Sequence, residues 1–399
     1  MKGLLLTASL AALTSATLAQ ERLETGSQKP MPNEWIDKQT GHKVVKLSRL
    51  PGSNASFYFH NNPFVGNKMI FYNTSDSTKR EIFTVDLNTL QTEQITHFGK
   101  RIGGEIVDNK RGDVYYQVKD SVFSINIDDK KPKLRYVFPK NFKASISTLN
   151  ADGTILAGKY SDGGREQEIL RRYPEKSQYF NRIFDAKIPN TLFTVNLKTG
   201  ELKDIHKENT WLGHIQFSPT DPNLLMFCHE GPWHKVDRMW TIDVSTGLIK
   251  KMHTRTMDME IAGHEFFSPD GQTIWFDHQK PRSQKFYLTG TDVKTGKERS
   301  YELTRNEWSI HFNISKDQKL FAGDGGDAGQ VAKAEDGMWI YLFRPEVDRF
   351  VSERLVNMKA HGYKLEPNIH FSPDGKWVIF RANFEGTSQV YAVEIEKAK

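Results

Sequence analysis

The chain has 399 residues, of which 37% are hydrophobic, 12% aromatic and 26% charged. This composition suits a folded protein with enough apolar side chains for a core, and it excludes an intrinsically disordered chain. Lys and Arg outnumber Asp and Glu by 55 to 49, and the net charge of +6 favours polyanionic partners. Because the sequence has no zinc-finger spacing, RNA-binding aromatic motif or dense basic helix, we expect no nucleic acid partner and favour an acidic polysaccharide.

The N-terminus has the pattern of a cleavable secretory signal. Lys2 precedes an apolar run over residues 3–13, and small residues follow up to Ala19. We expect a signal peptide at 1–19, a lead-in at 20–42, and export to the periplasm or the medium. No later stretch is long enough for a transmembrane helix, so we expect no membrane insertion. Cys228 is the only cysteine and lies in an apolar stretch, which predicts a buried thiol and no disulfide.

A short phrase recurs along the chain: an aromatic residue, Ser-Pro-Asp-Gly or a weaker form of it, and then a strand. Full copies begin at Phe267 and Phe371, and weaker ones, in chain order, at Phe64, Val107, Leu149, Phe217 and Phe312. Pro-Asp-Gly makes a tight turn because Pro presets φ and Gly adopts a positive φ. The longest gap, between Tyr160 and Ile188, predicts an insertion on one face.

These repeats predict an all-β fold. The period of about 40 to 50 residues is that of four-stranded propeller blades. We predict a single seven-bladed β-propeller domain over residues 43–399, with the first and last strands sharing a blade and closing the ring. The count would be six or eight blades if one of the repeated turn phrases were misread.

Five histidines stand just before the turn phrase or its equivalent in five repeats: His60, His214, His264, His311 and His370. Propeller ligands bind where loops converge over the central channel, so these side chains can meet in space. Each could instead be a satisfied polar residue on an inner strand. The shared register favours a common site.

Several motifs lie between residue 211 and the C-terminus: Trp211-Leu-Gly-His214, Cys228-His-Glu-Gly-Pro232, Arg238-Met-Trp240, Gly263-His-Glu-Phe266, Ser309-Ile-His311 and Phe321-Ala-Gly-Asp-Gly-Gly-Asp327. With them the sequence resembles the oligogalacturonate lyases, the pectin-degrading β-propeller polysaccharide lyases. Before residue 200 the resemblance is faint. It implies a carbon–oxygen lyase that cleaves uronic-acid oligosaccharides by β-elimination and leaves a 4,5-unsaturated uronyl end.

β-Elimination beside a uronic acid needs a base for the C5 proton and a cation for the carboxylate-stabilised carbanion. The resemblance implies that His264 is the base and that Arg238 neutralises the carboxylate. The alternative for Arg238 is a surface salt bridge with Asp237. Candidate substrate contacts are His214, His229, Glu230 and Tyr363. His229 and Glu230 could instead form a structural turn. The Gly-rich loop from Asp324 to Asp327 could cradle a ligand, but we expect it to be a tight turn.

The resemblance also implies a divalent metal, manganese in the family, with His311 as a ligand. Where the family has two further His ligands, this chain has Glu366 and Asn368, and oxygen donors favour a harder ion such as calcium. His370 shares the strand face of Asn368 and could restore a nitrogen ligand. We predict manganese or calcium bound by His311, Glu366, Asn368 and His370. The alternative is that the metal is lost and that an Arg, Lys364 or Tyr363 carries the charge.

A different class of function remains open at this point. A non-catalytic periplasmic propeller of the Tol type, which binds a protein or a glycan, carries the same turn repeats. Such a scaffold has no need of His264, Arg238 and His311 together, which favours the enzyme. The altered metal ligands and the export signal leave another acidic glycan open as the substrate.

Overall fold

The structure is a computed structural model that describes residues 21–398. The predicted signal peptide lies outside the described residues. The described residues contain 31 β-strands and two α-helices, so the all-β prediction is confirmed. Along these residues no helix is long and apolar enough to cross a membrane.

The strands come in groups along the chain. The N-terminal group is β1 (Arg22–Leu23), β2 (Glu34–Asp37) and β3 (His42–Lys46). The next two groups are β4 (Ser53–Ala55), β5 (Phe64–Val65), β6 (Lys68–Asp76), β7 (Lys79–Asp86) and β8 (Thr92–Gln94), and then β9 (Gly103–Asp108), β10 (Asp113–Val118), β11 (Ser121–Asn126) and β12 (Pro132–Val137).

Two groups form the middle of the chain. They are β13 (Ser145–Leu149), β14 (Ile155–Ser161), β15 (Asn190–Asn196) and β16 (Leu202–Glu208), and then β17 (Leu212–Phe217), β18 (Leu224–His229), β19 (Met239–Asp243) and β20 (Ile249–Lys251). Short 3₁₀ turns lie at Asp162–Gly164 and Trp233–Lys235.

Three groups complete the chain. They are β21 (Ile261–Phe267), β22 (Thr273–Gln279), β23 (Phe286–Asp292) and β24 (Glu298–Leu303), then β25 (Phe312–Ile314), β26 (Phe321–Gly323), β27 (Trp339–Glu346) and β28 (Arg349–Asn357), and finally β29 (His370–Phe371), β30 (Trp377–Ala382) and β31 (Gln389–Lys397).

From β6 onward the groups are antiparallel meanders, whereas β1 and β2 are parallel and β4 and β5 both pair with β6. Together the strands form six sheets. The meanders β9–β12, β13–β16 and β17–β20 are separate four-stranded sheets, and β4–β8 form a sheet of five. The meanders β21–β24 and β25–β28 share an eight-stranded sheet but touch at one parallel pair, Glu302 with Arg349. In the six-stranded sheet, N-terminal β3 pairs with C-terminal β31, with Val44 opposite Val393. The predicted lead-in adds β1 and β2 to the edge of this sheet.

The repeated turn has a repeated hydrogen-bond pattern. In the Ser268 copy the hydroxyl donates to Asp270 at 2.6 Å and accepts the amide of Thr273 at 3.0 Å. The copies at Ser315 and Ser372 have the same bonds at the same distances. A positive φ follows each Asp, at Gly271, Gln318 and Gly375. The weaker phrase therefore forms the same turn without the glycine, at the cost of a left-handed Gln.

The core lies between successive meanders, because their central strands are buried on both faces. Trp275 of β22, for example, contacts Phe321 of β26 in the next meander with ring centroids 4.9 Å apart. Leu192 of β15 and Phe227 of β18 share another cluster between neighbours. Cys228, on β18, is fully buried, as predicted, and desolvation raises its pKa well above 9.0.

The long gap in the repeat is a helical insertion between β14 and β15. It contains α1 (Arg165–Arg172) and α2 (Lys176–Ala186). Phe180 of α2 packs on Trp211 with ring centroids 5.3 Å apart. The ring of Phe184 lies so close to Gly231 that a Cβ there would stand 2.3 Å from it. The insertion therefore rests on the segments that carry the sequence motifs beside His214 and Glu230.

Candidate functional site

Four histidines from four different meanders or their lead-in loops converge, and we call them the histidine cluster: His60, His214, His264 and His311. The ring centroids of His264 and His311 are 4.8 Å apart, and those of His60 and His214 are 6.0 Å apart. Tyr58 lies between the pairs, 6.0 Å from His214 and 5.2 Å from His311. The sequence reasoning did not find Tyr58, although it stands two residues before His60.

Local backbone geometry directs these side chains. The same position, four residues before the turn serine, is occupied in four repeats by His214, His264, His311 and Asn368. The strand ladders shift register beside His214 and His264. His214, His264 and Asn368 have φ of 45°, 53° and 53°. Left-handed residues other than Gly cost about 1 to 3 kcal/mol and are found where function constrains the backbone.

His264 has the surroundings of a base. Its Nδ1 is buried without a hydrogen-bond partner, and the edge of Trp233 packs on its ring at 5.1 Å. Burial, and then the nearby His311, lower its pKa well below 6.5. The imidazole is therefore neutral at pH 7 and can accept a proton. The residue is half-buried, so part of it remains exposed.

Arg238 is 1% exposed and belongs to a buried ion-pair network. Its Nε and Nη2 donate to Glu265 at 2.6 and 3.2 Å, and its Nη1 donates to Glu230 at 2.8 Å. Asp237 instead pairs with Lys251. The surface salt bridge considered for Arg238 is therefore wrong, because the strand alternation turns Arg238 inward and Asp237 outward.

Glu230 and Glu265 bring this network to the cluster. The His214 nitrogens lie 3.8 Å from Glu230 Oε1 and 3.9 Å from Glu265 Oε2. His229 faces the other way, with its Nε2 3.0 Å from Glu208 and its ring stacked on Trp240. Of this pair of adjacent candidates, the structure places Glu230 at the cluster and His229 away from it.

His311 is fully buried and held by an acid that was predicted only as part of a turn. Asp324 accepts the His311 amide and Nδ1, each at 2.8 Å. The Tyr363 hydroxyl donates to the Asp324 carbonyl at 3.0 Å, and Tyr363 is 3% exposed. The structure therefore places Tyr363 behind Asp324, where it supports the acid that orients His311.

The four predicted metal ligands divide into two pairs. His311 Nε2 is buried without a hydrogen-bond partner and lies 3.7 Å from Glu366 Oε2. Asn368 Oδ1 accepts the Phe59 amide at 3.0 Å, and its amide nitrogen donates to the Glu366 carbonyl. His370 Nε2 lies 3.1 Å from the Asn61 carbonyl. His311 and Glu366 thus fit a divalent ion, whereas the oxygen of Asn368 and the Nε2 of His370 have protein partners.

The charges around the cluster do not balance. Four carboxylates pair with or face its members, those of Glu230, Glu265, Asp324 and Glu366. Two guanidinium groups lie among them, on Arg238 and on Arg381, whose Nε donates to the Glu366 carbonyl at 2.8 Å. This set has two negative charges in excess. A cation at His311 and Glu366 would remove that excess and allow an acidic ligand to approach.

A further positively charged side chain near the cluster belongs to the insertion. Lys176, at the start of α2, is near enough to His264 to lower its pKa. Neither the repeats nor the motifs marked this residue, because it belongs to a segment outside the repeating pattern. Its only sequence signal was the Arg- and Tyr-rich composition of the insertion.

A separate group of three residues could hold a metal ion. His253, Glu260 and His278 place one ligand atom each within 4.8 Å of one another, and all three are buried. None of them was among the predicted ligands. The only signal that could have found them is topological, since they come together only when β20, β21 and β22 are in place.

Comparisons with known proteins identify the family of this chain. A family model described as oligogalacturonate lyase matches residues 26–398. The oligogalacturonate lyase of Dickeya dadantii (strain 3937) is 25% identical over 383 residues, which are 90% of this chain and 95% of that protein. A solved structure described as oligogalacturonate lyase in complex with manganese is 24% identical, with a TM-score of 0.78 over 91% of this chain and 96% of its own.

The fold is also similar to that of unrelated propellers. The Swd1 β-propeller domain of Myceliophteria thermophila is 10% identical, with a TM-score of 0.55 over 88% of this chain and 98% of its own. The fold is therefore propeller-like, and the class of protein is a polysaccharide lyase that breaks a carbon–oxygen bond. The chain belongs to the oligogalacturonate lyase family.

Proposed function

We propose that this chain cleaves oligogalacturonates by β-elimination at the histidine cluster, leaving a 4,5-unsaturated uronyl end. The observation that carries the proposal is the neutral, half-buried His264, whose Nδ1 has no partner, beside the ion-pair network of Arg238. The family membership supports the substrate class.

The steps assigned to this chain's residues are few. His264 takes the C5 proton of a galacturonate unit, the C5 electron pair forms the C4–C5 double bond, and the C4–O bond breaks. The departing oxygen takes a proton from solvent. The guanidinium of Arg238 is 1% exposed and donates hydrogen bonds to both Glu230 and Glu265. We therefore assign Arg238 to keeping these two acids ionised and in place, instead of the predicted contact with the uronate carboxylate, and its raised pKa keeps it cationic at any working pH. A divalent ion, manganese or calcium, held by His311 and Glu366 would add positive charge against the uronate carboxylate.

Lys176 and His214 are the proposed contacts for the acidic substrate. Lys176 is near enough to His264 to lower its pKa, and His214 Nε2 lies 3.8 Å from Glu230 Oε1. Lys176 carries no ion-pair partner among the described contacts, so its charge is available to a carboxylate. We assign no substrate contact to His229, whose Nε2 faces Glu208, or to Tyr363, whose hydroxyl donates to the Asp324 carbonyl, and both stay predictions.

The test is an absorbance assay with digalacturonate and trigalacturonate, which reports the unsaturated product. We expect the full chain to be active and the His264→Gln variant to lose about 10²- to 10⁴-fold in kcat, the usual contribution of a general base. His42→Gln is the matched control, since His42 is also buried but its Nδ1 bonds to the Glu394 carbonyl, where β3 pairs with β31. Full activity in His264→Gln would refute the assignment of the base.

We also propose that the meanders form one seven-bladed ring. The single residue pair between β24 and β28 supports counting their meanders as separate blades, and the β3–β31 pairing supports closure by the two ends of the chain. A crystal structure with seven meanders around one axis is the expected result. A ring of six or eight would contradict the count.

Export to the periplasm or the medium is a further proposal, and it rests on the charged, apolar and small-residue segments of residues 1–19. We expect the mature protein of a native host to begin near residue 20. N-terminal sequencing of the purified protein tests this, and an intact residue 1 in the active protein would contradict it.

A further inference from the structure

The group of His253, Glu260 and His278 lies apart from the histidine cluster, between the meanders β17–β20 and β21–β24. His253 follows β20, Glu260 immediately precedes β21, and His278 lies on β22. Glu260 is fully buried, and His253 and His278 are 4% and 3% exposed. The loop after β20 is thereby held against the first two strands of the next meander.

The carboxylate of Glu260 is fixed so that one oxygen faces both imidazoles. Its Oε2 accepts the Thr256 amide at 2.6 Å and the Thr256 hydroxyl at 2.8 Å. Its Oε1 lies 3.2 Å from His253 Nε2 and 2.8 Å from His278 Nε2. Three candidate ligand atoms therefore meet at one point.

The hydrogen bonds of His253 leave its inner nitrogen unpartnered. Its Nδ1 lies 2.7 Å from Glu298 Oε1, and a carboxylate oxygen can only accept, so Nδ1 carries the proton. Its Nε2 is buried and forms no hydrogen bond, although Glu260 Oε1 is 3.2 Å away. In the neutral ring this nitrogen directs a lone pair at a carboxylate oxygen, an arrangement that calls for a cation between them.

The outer nitrogen of His278 also has a fixed partner. Its Nδ1 lies 2.9 Å from Thr289 Oγ1, which lies 2.8 Å from Ser300 Oγ. His278 Nε2 also lies within hydrogen-bond distance of Glu260 Oε1, and without a metal it donates its proton to that carboxylate. When a metal ion replaces this proton, Nδ1 donates to Thr289, Thr289 donates to Ser300, and Nε2 becomes a lone-pair ligand. Metal-binding histidines characteristically donate their other ring nitrogen to such an outer partner, which fixes the tautomer.

From these contacts we propose that His253, Glu260 and His278 form a second metal site, and that it binds zinc. Two imidazoles and one carboxylate are a zinc donor set. Tetrahedral bonds of that kind put neighbouring ligand atoms about 3.3 Å apart, close to the 3.2 and 2.8 Å found here. The two negative charges of Glu260 and Glu298 balance the two positive charges of Zn²⁺, so the site with zinc bound is neutral.

The site has one competing cation. Lys280 Nζ lies 3.8 Å from Glu260 Oε1, and the Lys280 side chain is 37% exposed, so it can turn to solvent when zinc enters. Glu298 is 35% exposed and marks the path from the surface. Without zinc, Lys280 and a protonated His253 would have to balance the two carboxylates, and the experiment must separate these two states.

The experiment uses the full chain, treated with EDTA, dialysed, and titrated with zinc chloride alone by calorimetry, with metal content read by mass spectrometry. We expect one tight zinc per chain and a rise in Tm of about 4 °C at a hundredfold excess over Kd. His278→Gln should weaken this binding at least about 100-fold and Glu298→Gln about 10-fold. His311→Gln, in the histidine cluster, should leave it unchanged.

His42→Gln is the matched control, because His42 is a buried histidine 3.3 Å from one carboxylate, that of Glu353, and outside the group. Zinc uptake that is lost with His311 and kept with His278 would overturn the proposal. Should the His278 variant fail to fold, zinc-soaked crystals of the unaltered chain decide. An anomalous peak between the three ligand atoms supports the site, and its absence at saturating zinc refutes it.

Discussion

Replacing Arg238 with Gln tests the ion-pair network beneath the histidine cluster. The change removes the guanidinium that is paired with Glu265, a carboxylate with no exposed surface. Gln keeps an unbranched polar side chain at this position, immediately before β19, but it is shorter and uncharged. The direct effect is therefore an uncompensated buried charge.

The size of the effect follows from the pKa of Glu265. The Arg238 guanidinium, with its two hydrogen bonds, holds that pKa at about 2, against 4.5 for an ordinary Glu, although burial alone would raise it. At about 1.4 kcal/mol for each pKa unit, the pairing stabilises the ionised form by about 3 kcal/mol relative to the unfolded chain. Breaking a buried pair by removing one partner costs about 3 to 5 kcal/mol, so the two values agree in order of magnitude.

The direction of the pKa shift of Glu265 determines how the stability of the fold depends on pH. In the unaltered chain the pKa is depressed, so the stabilisation is present above pH 4.5 and is lost as pH falls toward 2. In the variant, desolvation without the cation raises the pKa above 4.5, so stability falls as pH rises through that pKa. The stability difference between variant and unaltered chain should therefore grow from pH 4 to pH 7.

Urea unfolding at pH 4, 5.5 and 7 measures this difference. Arg344→Gln is the control, since Arg344 makes an exposed pair with Glu353 at 2.9 Å, which should contribute less than about 1 kcal/mol. A difference for Arg238→Gln below about 1 kcal/mol, or one independent of pH, would refute the reasoning.

Three further predictions follow from the same contacts. Lys176→Ala should raise KM for trigalacturonate about tenfold with little change in kcat. The control Lys187→Ala, at the far end of α2, should change neither value. Equal KM values for the two variants would contradict the substrate contact. Glu366→Gln should raise the manganese concentration needed for half-maximal activity about tenfold, because it removes the carboxylate that faces His311. An unchanged metal dependence would exclude Glu366 as a metal ligand. Asp277→Asn should stabilise the fold above pH 7. Burial raises the pKa of Asp277 to about 7, so the stability linked to its protonated form is lost as pH rises through that value. If the unfolding midpoints of variant and unaltered chain have the same pH dependence, the raised pKa of Asp277 is wrong.

The repeating part of the fold was predictable because its cause is local. The Ser-Pro-Asp-Gly phrase encodes its own turn, and the structure has the same hydrogen bonds in both full copies and in the weaker copy at Phe312. Of the five histidines that the sequence placed before the turn, four form the cluster, whereas the Nε2 of His370 lies against the Asn61 carbonyl. The helices of the insertion were not predicted, because a non-repeating segment gives no period to read.

Partners that depend on strand alternation and packing were harder to foresee. Glu230 and His229 are adjacent, yet only Glu230 reaches the cluster, because neighbouring strand residues point to opposite faces. Asp324 was expected to be part of a tight turn, but its side chain holds His311. The group of His253, Glu260 and His278 arises from contact between two meanders, which no local pattern in the sequence specifies.

The central claim is elimination at His264, and product analysis in isotopically labelled water tests it most directly. Trigalacturonate is incubated with the full chain in H₂¹⁸O, and the products are weighed by mass spectrometry. Elimination predicts an unsaturated product with no label at the cleaved bond, formed by the unaltered chain and by His42→Gln but not by His264→Gln. Saturated products that carry ¹⁸O at the cleaved bond, or unsaturated product formed equally well by His264→Gln, would contradict the account.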